Sequence, residues 1–303
     1  MKTLKSLNKN RALLIMMLPC LLYFLFFNYM PMFGIITAFK DFNFRLGILG
    51  SKWTGLENFK FLFYGPDGFL ITRNTICYQA VFLLTNCCFQ VMLAIIFSML
   101  GTTLMSKVNQ TIIIMPHFLS WVIGSYFVFG ILSPSGGLLN TFIAMFGKEA
   151  VNWYQEPKYW PYILWLCNTW KAVGWGSIIY YSRIRGFDPT LYEAAKVDGA
   201  TWWQCVRHIT FPQLISTVCL LMIMDIGQIM NTDFGLFYIV PRSNGALFDV
   251  TQTVNTYVFR GIKSGADLGG TAAASLYQSA VGCILLLVTN AIIRKIEPDN
   301  ALF

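Results

Sequence analysis

Residues 12–39 read ALLIMMLPCLLYFLFFNYMPMFGIITAF, a run of 28 residues without a charged side chain. As an α-helix this run would be about 42 Å long, at about 1.5 Å per residue. That length exceeds the ~30 Å hydrocarbon core of a bilayer. The run therefore predicts a membrane-spanning helix whose ends reach into the interface.

The composition of the whole chain agrees with a membrane protein. Of 303 residues, 56% are hydrophobic and 12% are charged, about half of the charge of soluble globular proteins. This composition excludes a disordered chain, a collagen-like repeat and a disulfide-stapled secreted module. The net charge of +8 is typical of basic cytoplasmic loops. We therefore expect a lipid bilayer as a partner and no nucleic acid.

Five further apolar segments are long enough to cross a bilayer once. The six predicted spans are residues 12–39, 74–104, 108–132, 159–182, 209–232 and 268–293. Basic residues precede the first span, which predicts a cytoplasmic amino terminus by the positive-inside rule; they are Lys2, Lys5, Lys9 and Arg11. Six crossings return the carboxyl terminus to the same side. The sequence thus predicts an all-α integral membrane protein with one transmembrane domain over residues 1–303.

Motifs of common enzymes are absent from the sequence. There is no GxxxxGK[ST] phosphate loop, since Gly147 and Lys148 are followed by Glu149. There is no HExxH and no GxSxG, and the two histidines, His117 and His208, belong to different predicted helices. We expect no catalytic residues and no metal site in this chain.

The predicted cytoplasmic connection between the fourth and fifth spans has its own helix signals. Residues 187–204 read FDPTLYEAAKVDGATWWQ. Asp188 followed by Pro189 predicts a helix N-cap and a first-turn proline. Gly199 is placed to end that helix in the left-handed conformation. The pattern predicts a short helix followed by a sharp turn.

A second helix is predicted directly after this turn. Thr201 and Gln204 have the spacing of a capping box, in which each residue satisfies a backbone amide of the other. We expect this helix to run toward the membrane and to bend at Phe211-Pro212. The connection as a whole, residues 187–211, is compatible either with an ordinary amphipathic connector or with a surface that docks on another protein.

The spacing of Glu193-Ala194-Ala195, three residues, Gly199, nine residues, Ile209, one residue and Phe211-Pro212 resembles the EAA loop of binding-protein-dependent ABC importer permeases. Leucine is usual in the family where this chain has Phe211. In that family the loop docks into a cleft on a cytoplasmic ATPase subunit. The resemblance implies that the ATPase-coupling residues are Glu193, Ala194, Ala195 and Gly199, with Asp198 as a support.

Four other segments resemble the carbohydrate-uptake branch of that family, in particular permeases for complex oligosaccharides and polysaccharide fragments, which are related to the maltose permease subunits. They are residues 29–41, 53–59, 116–121 and 170–176. The resemblance implies a type I ABC importer permease of the bacterial plasma membrane, which translocates an oligosaccharide delivered by an extracellular solute-binding lipoprotein.

The resemblance also implies partner subunits, and two alternative functions stay open. A heterodimer with a second, homologous permease would present two docking loops to two cytoplasmic ATPase subunits. ATP and Mg would bind to those ATPases, and this chain itself is expected to bind no cofactor. One alternative is a permease for a non-sugar solute such as a peptide or phosphate. The other is a membrane receptor or enzyme that is not coupled to an ATPase.

A sugar pathway needs polar groups that replace water and aromatic faces that stack on sugar rings. The fourth, fifth and sixth predicted spans offer both kinds of group. Membrane aromatics and amides also serve in interfacial belts and helix packing, which is the alternative for each residue. The candidate pathway residues are Asn168, Trp170, Lys171, Trp175, Asp225, Gln228, Asn231, Tyr277 and Gln278.

Lys171 lies near the middle of the fourth predicted span. A charge at mid-bilayer costs roughly 2.5 to 3.5 kcal/mol on insertion scales, so Lys171 must face protein or water. In one interpretation it forms an ion pair with Asp225 that locks the fourth and fifth spans together. In the other it faces a cavity and contacts an acidic or hydroxyl-rich substrate.

Overall fold

The computed structural model of the protein describes residues 11–101, 104–265 and 267–296. The basic residues Lys2, Lys5 and Lys9 lie outside the described part. The chain forms two compact units. The first contains residues 1–65 and 258–277, and the second contains residues 66–257 and 278–303.

The first unit begins with a long apolar helix. Helix α1, Arg11–Phe24, continues through a π-helical turn, Leu25–Tyr29, and a 3-10 segment, Met30–Phe39. Pro31 has no N–H for the carbonyl of Phe27, which accounts for the change of helix type at this point. Together these segments make 29 helical residues, close to the predicted first span.

A small antiparallel hairpin follows in the first unit. Strand β1, Lys40–Asp41, pairs with β2, Lys52–Trp53, and the short helix α2, Gly47–Gly50, lies between them. The rings of Phe39 and Trp53 stack with centroids 5.8 Å apart. The Asn58 side-chain amide donates to the carbonyls of Ala38 and Lys40 at 3.0 and 2.9 Å. These contacts tie the hairpin to the end of the first helix.

The remaining helices follow in chain order, and α13 and α14 run from one unit into the other. They are α3 (Lys60–Tyr64), α4 (Pro66–Met99), α5 (Leu104–Phe118), α6 (Trp121–Leu132), α7 (Leu138–Met145), α8 (Trp160–Arg185), α9 (Pro189–Val197), α10 (Trp202–Cys205), α11 (Phe211–Gly227), α12 (Phe248–Thr251), α13 (Val254–Ser264) and α14 (Leu268–Ile296).

Helices α5 and α6 take the place of the single helix predicted over residues 108–132. The two helix axes are bent by 99° at the break after Phe118. Pro116 has no N–H for the carbonyl of Ile112, and Ser120 caps α6 by accepting from the Ile123 amide at 3.4 Å. The predicted span is therefore a pair of helices, because a helix stop and a new N-cap stand inside one apolar run.

The fifth predicted span also differs in detail. Helix α10 passes through a π-helical turn, Val206–Thr210, directly into α11. Pro212 has no N–H for the carbonyl of His208, and the π turn accommodates this missing hydrogen bond. The sequence predicted a bend at this point, and the structure has a π turn there. The helix ends at Gly227, so residues 228–232, which were predicted to belong to this span, lie beyond the end of the helix.

In the described part of the chain, four helices are long and apolar enough to cross a membrane: the first helix through Phe39, α4, α10 with α11, and α14. The α5–α6 pair makes a fifth crossing if it counts as one broken span. Helix α8 has 26 residues, a sufficient length, but its tryptophans, tyrosines and glycines lower its mean hydropathy.

Helix α8 packs closely against α4 and α5 in the second unit. A Cβ at Gly174 would lie 2.0 Å from the backbone oxygen of Ile113, and one at Gly176 would lie 2.2 Å from the side chain of Gln90. Glycine is needed at position 174, because a side chain there would press on backbone and push the helices apart; the amide end of Gln90 beside Gly176 is flexible and can move aside. Near its start, α8 buries Trp160 and Leu164 completely.

Candidate coupling surface and transport cavity

The start of α9 is fixed by its N-cap. Asp188 Oδ1 accepts a hydrogen bond from the Thr190 amide at 2.9 Å, and Pro189 occupies the first helical turn. The backbone hydrogen bond from Thr190, together with one from its side chain, lowers the pKa of Asp188 below its usual value. The predicted N-cap is confirmed.

The end of α9 is fixed by a left-handed glycine. Gly199 has φ +78°; its amide donates to the Lys196 carbonyl at 3.1 Å, and the Ala200 amide donates to the Ala195 carbonyl at 2.8 Å. This pair of bonds is a Schellman motif. The predicted C-terminal glycine is confirmed.

The capping box that begins the next helix is present. The Thr201 amide donates to Gln204 Oε1 at 2.6 Å, and the Gln204 amide donates to Thr201 Oγ1 at 3.4 Å. The turn between α9 and α10 is thus defined from both sides. It keeps α9 at a set angle to the helix that enters the predicted fifth span.

One face of α9 packs against the neighbouring helices of the second unit. The Tyr192 hydroxyl lies 2.9 Å from Thr210 Oγ1, and its ring packs against a buried cluster that includes Phe187 and Leu214. On the accessible side, Glu193 is exposed and has no ion pair within the described residues. Val197 is 88% exposed. The accessible surface of α9 thus presents a carboxylate and an apolar side chain one turn apart.

All five predicted coupling residues lie on this surface. Glu193, Ala194, Asp198 and Gly199 are exposed and Ala195 is half-buried. Ala195, Asp198 and Gly199 border an open groove of about 400 Å³, whose other wall includes Gln204 and His208. A side chain from another protein could enter this groove.

A separate cavity of about 330 Å³ lies in the second unit. It lies among α4, the α5–α6 break, α8 and the end of α11. Four of the predicted pathway residues line it: Asn168, Lys171, Trp175 and Asp225. Seven further polar or aromatic residues that the sequence reasoning did not select also line it: Gln79, Phe82, Asn86, Gln90, His117, Trp121 and Asp233.

Sequence signals existed for some of these seven. Gln79, Asn86 and Gln90 recur at helical spacing within an otherwise apolar span, and such a polar stripe indicates a face turned away from lipid. His117 directly follows the proline, and Trp121 directly follows the serine, that break the third predicted span. Asp233 had no local signal, because it lies in irregular chain beyond the end of α11.

The cavity wall offers both hydrogen-bonding groups and a flat aromatic face. The rings of His117 and Trp175 stack with centroids 4.7 Å apart and planes 7° apart. Asn168 Nδ2 donates to Asn86 Oδ1 at 3.3 Å, which links α8 to α4. Such a wall can take the apolar face of a sugar ring and its hydroxyl groups together.

Lys171 is held by an aromatic ring. Its Nζ lies 4.3 Å from the centroid of the Trp121 ring, a cation–π distance. Trp121 Nε1 donates to Asp233 Oδ2 at 2.5 Å. Within the described residues no ion pair joins Lys171 to Asp225, so the predicted lock between the fourth and fifth spans is not formed. The side chain of Lys171 is turned to the Trp121 face instead.

Three other candidates belong to an amide network. Asn255 Nδ2 donates to Asn231 Oδ1 at 2.8 Å, Gln278 Nε2 donates to Asn255 Oδ1 at 2.6 Å, and Asn231 Nδ2 donates to Gln228 Oε1 at 3.4 Å. Trp170 is 44% exposed on α8, and Tyr277 lies on α14 in the first unit. A pathway role stays a prediction for all nine candidates, both the four that line the cavity and the five that lie outside its lining: Trp170, Gln228, Asn231, Tyr277 and Gln278.

A family model described as the inner membrane component of binding-protein-dependent transport systems matches residues 90–298. The chain belongs to this family of permeases. The permease is similar to the polygalacturonan/rhamnogalacturonan transport system permease protein YteP of Bacillus subtilis (strain 168). The two sequences are 37% identical over 99% of this chain and 92% of the relative. The permease is 33% identical to Protein LplB of the same organism, over 97% of this chain and 92% of that one.

The permease is also similar to a solved structure, that of a bacterial ABC transporter involved in the import of the acidic polysaccharide alginate. The TM-score is 0.89 at 30% sequence identity, and the match covers 98% of this chain and 100% of that one. A second structure, of the alginate transporter in complex with alginate pentasaccharide-bound periplasmic protein, matches with a TM-score of 0.87 at 30% identity over 96% of this chain and 97% of that one.

These findings confirm the resemblance stated from the sequence. The permease is a multi-pass protein of the bacterial plasma membrane with the type I permease fold. It is a transport subunit and not an enzyme. The alternative interpretation as a membrane receptor or enzyme is therefore wrong.

Proposed function

We propose that this permease moves an oligosaccharide across the membrane after an extracellular binding protein has delivered it, in an importer driven by separate ATPase subunits. The observation that carries the proposal is the cavity, in which the stacked rings of His117 and Trp175 lie beside the amide side chains of Asn86 and Asn168. A peptide or phosphate pathway has no comparable need for a flat aromatic face.

The solute that we propose is a fragment of a polysaccharide. The relative with 37% identity is named as a polygalacturonan/rhamnogalacturonan permease, and the structural neighbour takes part in the import of alginate. Both proteins match nearly the whole length of this chain, including the residues of the cavity. Asn168, Lys171, Trp175 and Asp225 are the residues that we propose contact the solute.

We further propose a heterodimer with a second, homologous permease, and two cytoplasmic ATPase subunits that bind ATP and Mg. The capped and exposed helix α9 supports this proposal, because a rigid lever with one attached face transmits movement better than a flexible loop. In this arrangement Glu193, Ala194, Ala195, Asp198 and Gly199 contact the ATPase. Nucleotide-driven closure of the ATPases would favour one of two states of the permease pair.

Six crossings with both termini in the cytoplasm form part of the same proposal. Helix α8 is long enough for a crossing, and the broken α5–α6 pair supplies another. An even number of crossings would place α9 and both termini on one side. The basic residues before the first helix favour the cytoplasmic side.

The transport proposal is tested with the whole complex in proteoliposomes, with binding protein outside and ATP inside. We expect uptake of labelled polysaccharide-derived oligosaccharides that depends on both. An ATPase subunit unable to hydrolyse ATP is the control and should abolish uptake. Uptake of a peptide or of phosphate with no oligosaccharide uptake would contradict the proposal.

The docking of α9 is tested by cross-linking. Glu193→Cys in the assembled complex, labelled with a maleimide that carries a photoreactive benzophenone, should form an adduct with the ATPase on irradiation. Lys148→Cys, an exposed position outside this segment, is the matched control and should give none. If Glu193→Cys yields no adduct in an active complex, α9 does not dock on the ATPase.

A further inference from the structure

We propose that Lys171 distinguishes carboxylate-bearing sugars from neutral ones, and that Trp121 and Asp233 act as positioning residues for its ammonium group. This inference rests on the proposed function and names the substrate class of the same cavity. The juxtaposition that carries it is an ammonium group above a tryptophan ring whose own N–H is bound to a carboxylate.

The first step concerns the charge of Lys171. The residue lies near the middle of the 26-residue helix α8, where a charge is costly unless a partner or water receives it. A lysine that only stabilises the bundle should pair with a carboxylate. Two carboxylates line the same cavity, Asp225 and Asp233, yet neither forms an ion pair with Lys171 in the described part of the chain.

The second step concerns Asp233, whose carboxylate is already engaged. Its Oδ1 accepts from the amides of Gly235 and Leu236 at 2.9 and 3.3 Å. Its Oδ2 accepts from Trp121 Nε1 at 2.5 Å. Asp233 therefore caps a helical turn and fixes the indole, and it does not act as the counter-ion of Lys171.

The third step concerns Trp121 as a support. The hydrogen bond to Asp233 fixes one edge of its ring. Gly235 lies against the five-membered ring next to that N–H, since a Cβ there would be 2.2 Å from Trp121 Cδ1. A fixed ring face attracts an ammonium group but leaves its hydrogen-bond donors available. Lys171 thus keeps donors that can point to a solute in the cavity.

The final step matches the cavity to a chemical class. A sugar acid presents a carboxylate, several hydroxyl groups and an apolar ring face. Lys171 suits the carboxylate, the Asp225 carboxylate and the amides suit hydroxyl groups, and the stacked His117 and Trp175 suit the ring face. A neutral sugar could make the hydroxyl and ring contacts, but it has no carboxylate to pair with the charge of Lys171.

The test uses the complete transporter, its binding protein and one oligomer in two forms. The probes are oligogalacturonate with free carboxylates and the same oligomer with its carboxylates methyl-esterified. Uptake by each variant is given as a fraction of wild-type uptake of the same probe. The preference of the binding protein for one probe then cancels. Assembly is followed by size-exclusion chromatography and by basal ATPase rate.

We expect Lys171→Gln to lower uptake of the free acid by about 10-fold or more, the value of one charge-assisted hydrogen bond. Uptake of the ester should change by less than about 2-fold. Lys171→Arg should restore most of the lost uptake, because it keeps the charge.

Trp121→Phe tests the positioning residue. It keeps a ring but removes the N–H, so it should lower uptake of the acid more than uptake of the ester. Lys148→Gln, an exposed lysine in another segment, should affect neither probe.

Several results would overturn the inference. Equal losses for acid and ester in an assembled complex would make Lys171 a general structural residue. Uptake of the ester alone by wild type, with a binding protein that binds the free acid as well, would show that the cavity rejects carboxylates, while the proposed oligosaccharide transport would stand. Where the binding protein delivers only the acid, equal activity of Lys171→Gln and Lys171→Arg decides against the inference. The absence of uptake of every oligosaccharide would refute the proposed function and this inference with it.

Discussion

At the scale of single residues, Gly199 determines how α9 ends. Its φ of +78° lies where an L-residue with a Cβ is strained by roughly 1 to 2 kcal/mol. We expect Gly199→Ala to loosen the turn and to lower binding-protein-stimulated ATPase activity severalfold, with basal activity unchanged. Gly199→Asn is the matched control, because asparagine tolerates this conformation, and it should keep most of the stimulation. Full stimulation in the alanine variant would show that the turn does not contribute to coupling.

Asp188 determines how the same helix begins, and its effect depends on pH. Hydrogen bonds from Thr190 lower the pKa of Asp188, so the cap is fully present above the unfolded-state pKa and is lost as pH falls through the lower folded-state value. Transport between pH 6 and pH 8 should therefore be insensitive to this group. Asp188→Ala should weaken coupling throughout that range, whereas Asp188→Asn, which keeps an acceptor, should not. Stimulated ATPase rates measured across the range check both statements.

These cap residues could be predicted from the sequence because their chemistry is local. The N-cap, the left-handed glycine and the capping box each depend on residues within a few positions of one another. The partner of Lys171 could not be predicted in this way. It depends on the direction of Trp121, which is set by a helix break and by Asp233, far apart in sequence.

At the scale of helices, Gly174 sets the distance between α8 and α5. A Cβ at this position would lie 2.0 Å from the backbone of Ile113, and backbone cannot move aside as a flexible side chain can. We expect Gly174→Ala to destabilise the permease by about 1 to 3 kcal/mol, the usual cost of overpacking. Thermal unfolding of the purified complex measures the effect.

The control for this prediction is Gly130→Ala on α6. A Cβ at Gly130 meets nothing within 4 Å, and alanine is favoured over glycine in a helix interior by about 0.5 to 1 kcal/mol. Its unfolding temperature should be unchanged or slightly higher. A similar loss in both variants would mean that the close contact at Gly174 is not what stabilises α8.

Apolar length predicted where helices occur but not where they break. The run over residues 108–132 is continuous in hydropathy, yet Pro116 and Ser120 divide it into α5 and α6. The fifth span stops at Gly227, where the amides of Gln228 and Ile229 donate to the carbonyls three residues before them, Asp225 and Ile226. Hydropathy records the cost of exposing side chains to water or lipid, whereas helix ends depend on backbone hydrogen bonds.

At the scale of the whole molecule, the same break connects fold and function. The sharp bend between α5 and α6 lies at the cavity, and His117 before it and Trp121 after it both line the cavity. Four cavity residues could be predicted from the sequence, because they are polar or aromatic side chains within predicted spans. The residues that reach the cavity through the break and through the irregular chain after α11 could not be predicted, because their positions depend on tertiary packing.

The proposed orientation of the permease makes a prediction for intact cells. If α9 lies in the cytoplasm, the end of α8 next to it does as well, and the segment after α7 lies outside. Lys148→Cys should therefore react with a membrane-impermeant maleimide in intact spheroplasts, and Arg185→Cys should react only after permeabilisation. Both native side chains are exposed, so differences in burial do not account for the contrast. The unmodified permease, with its own cysteines, gives the baseline, and the reverse labelling pattern would place α9 on the outer face, where no cytoplasmic ATPase could reach it.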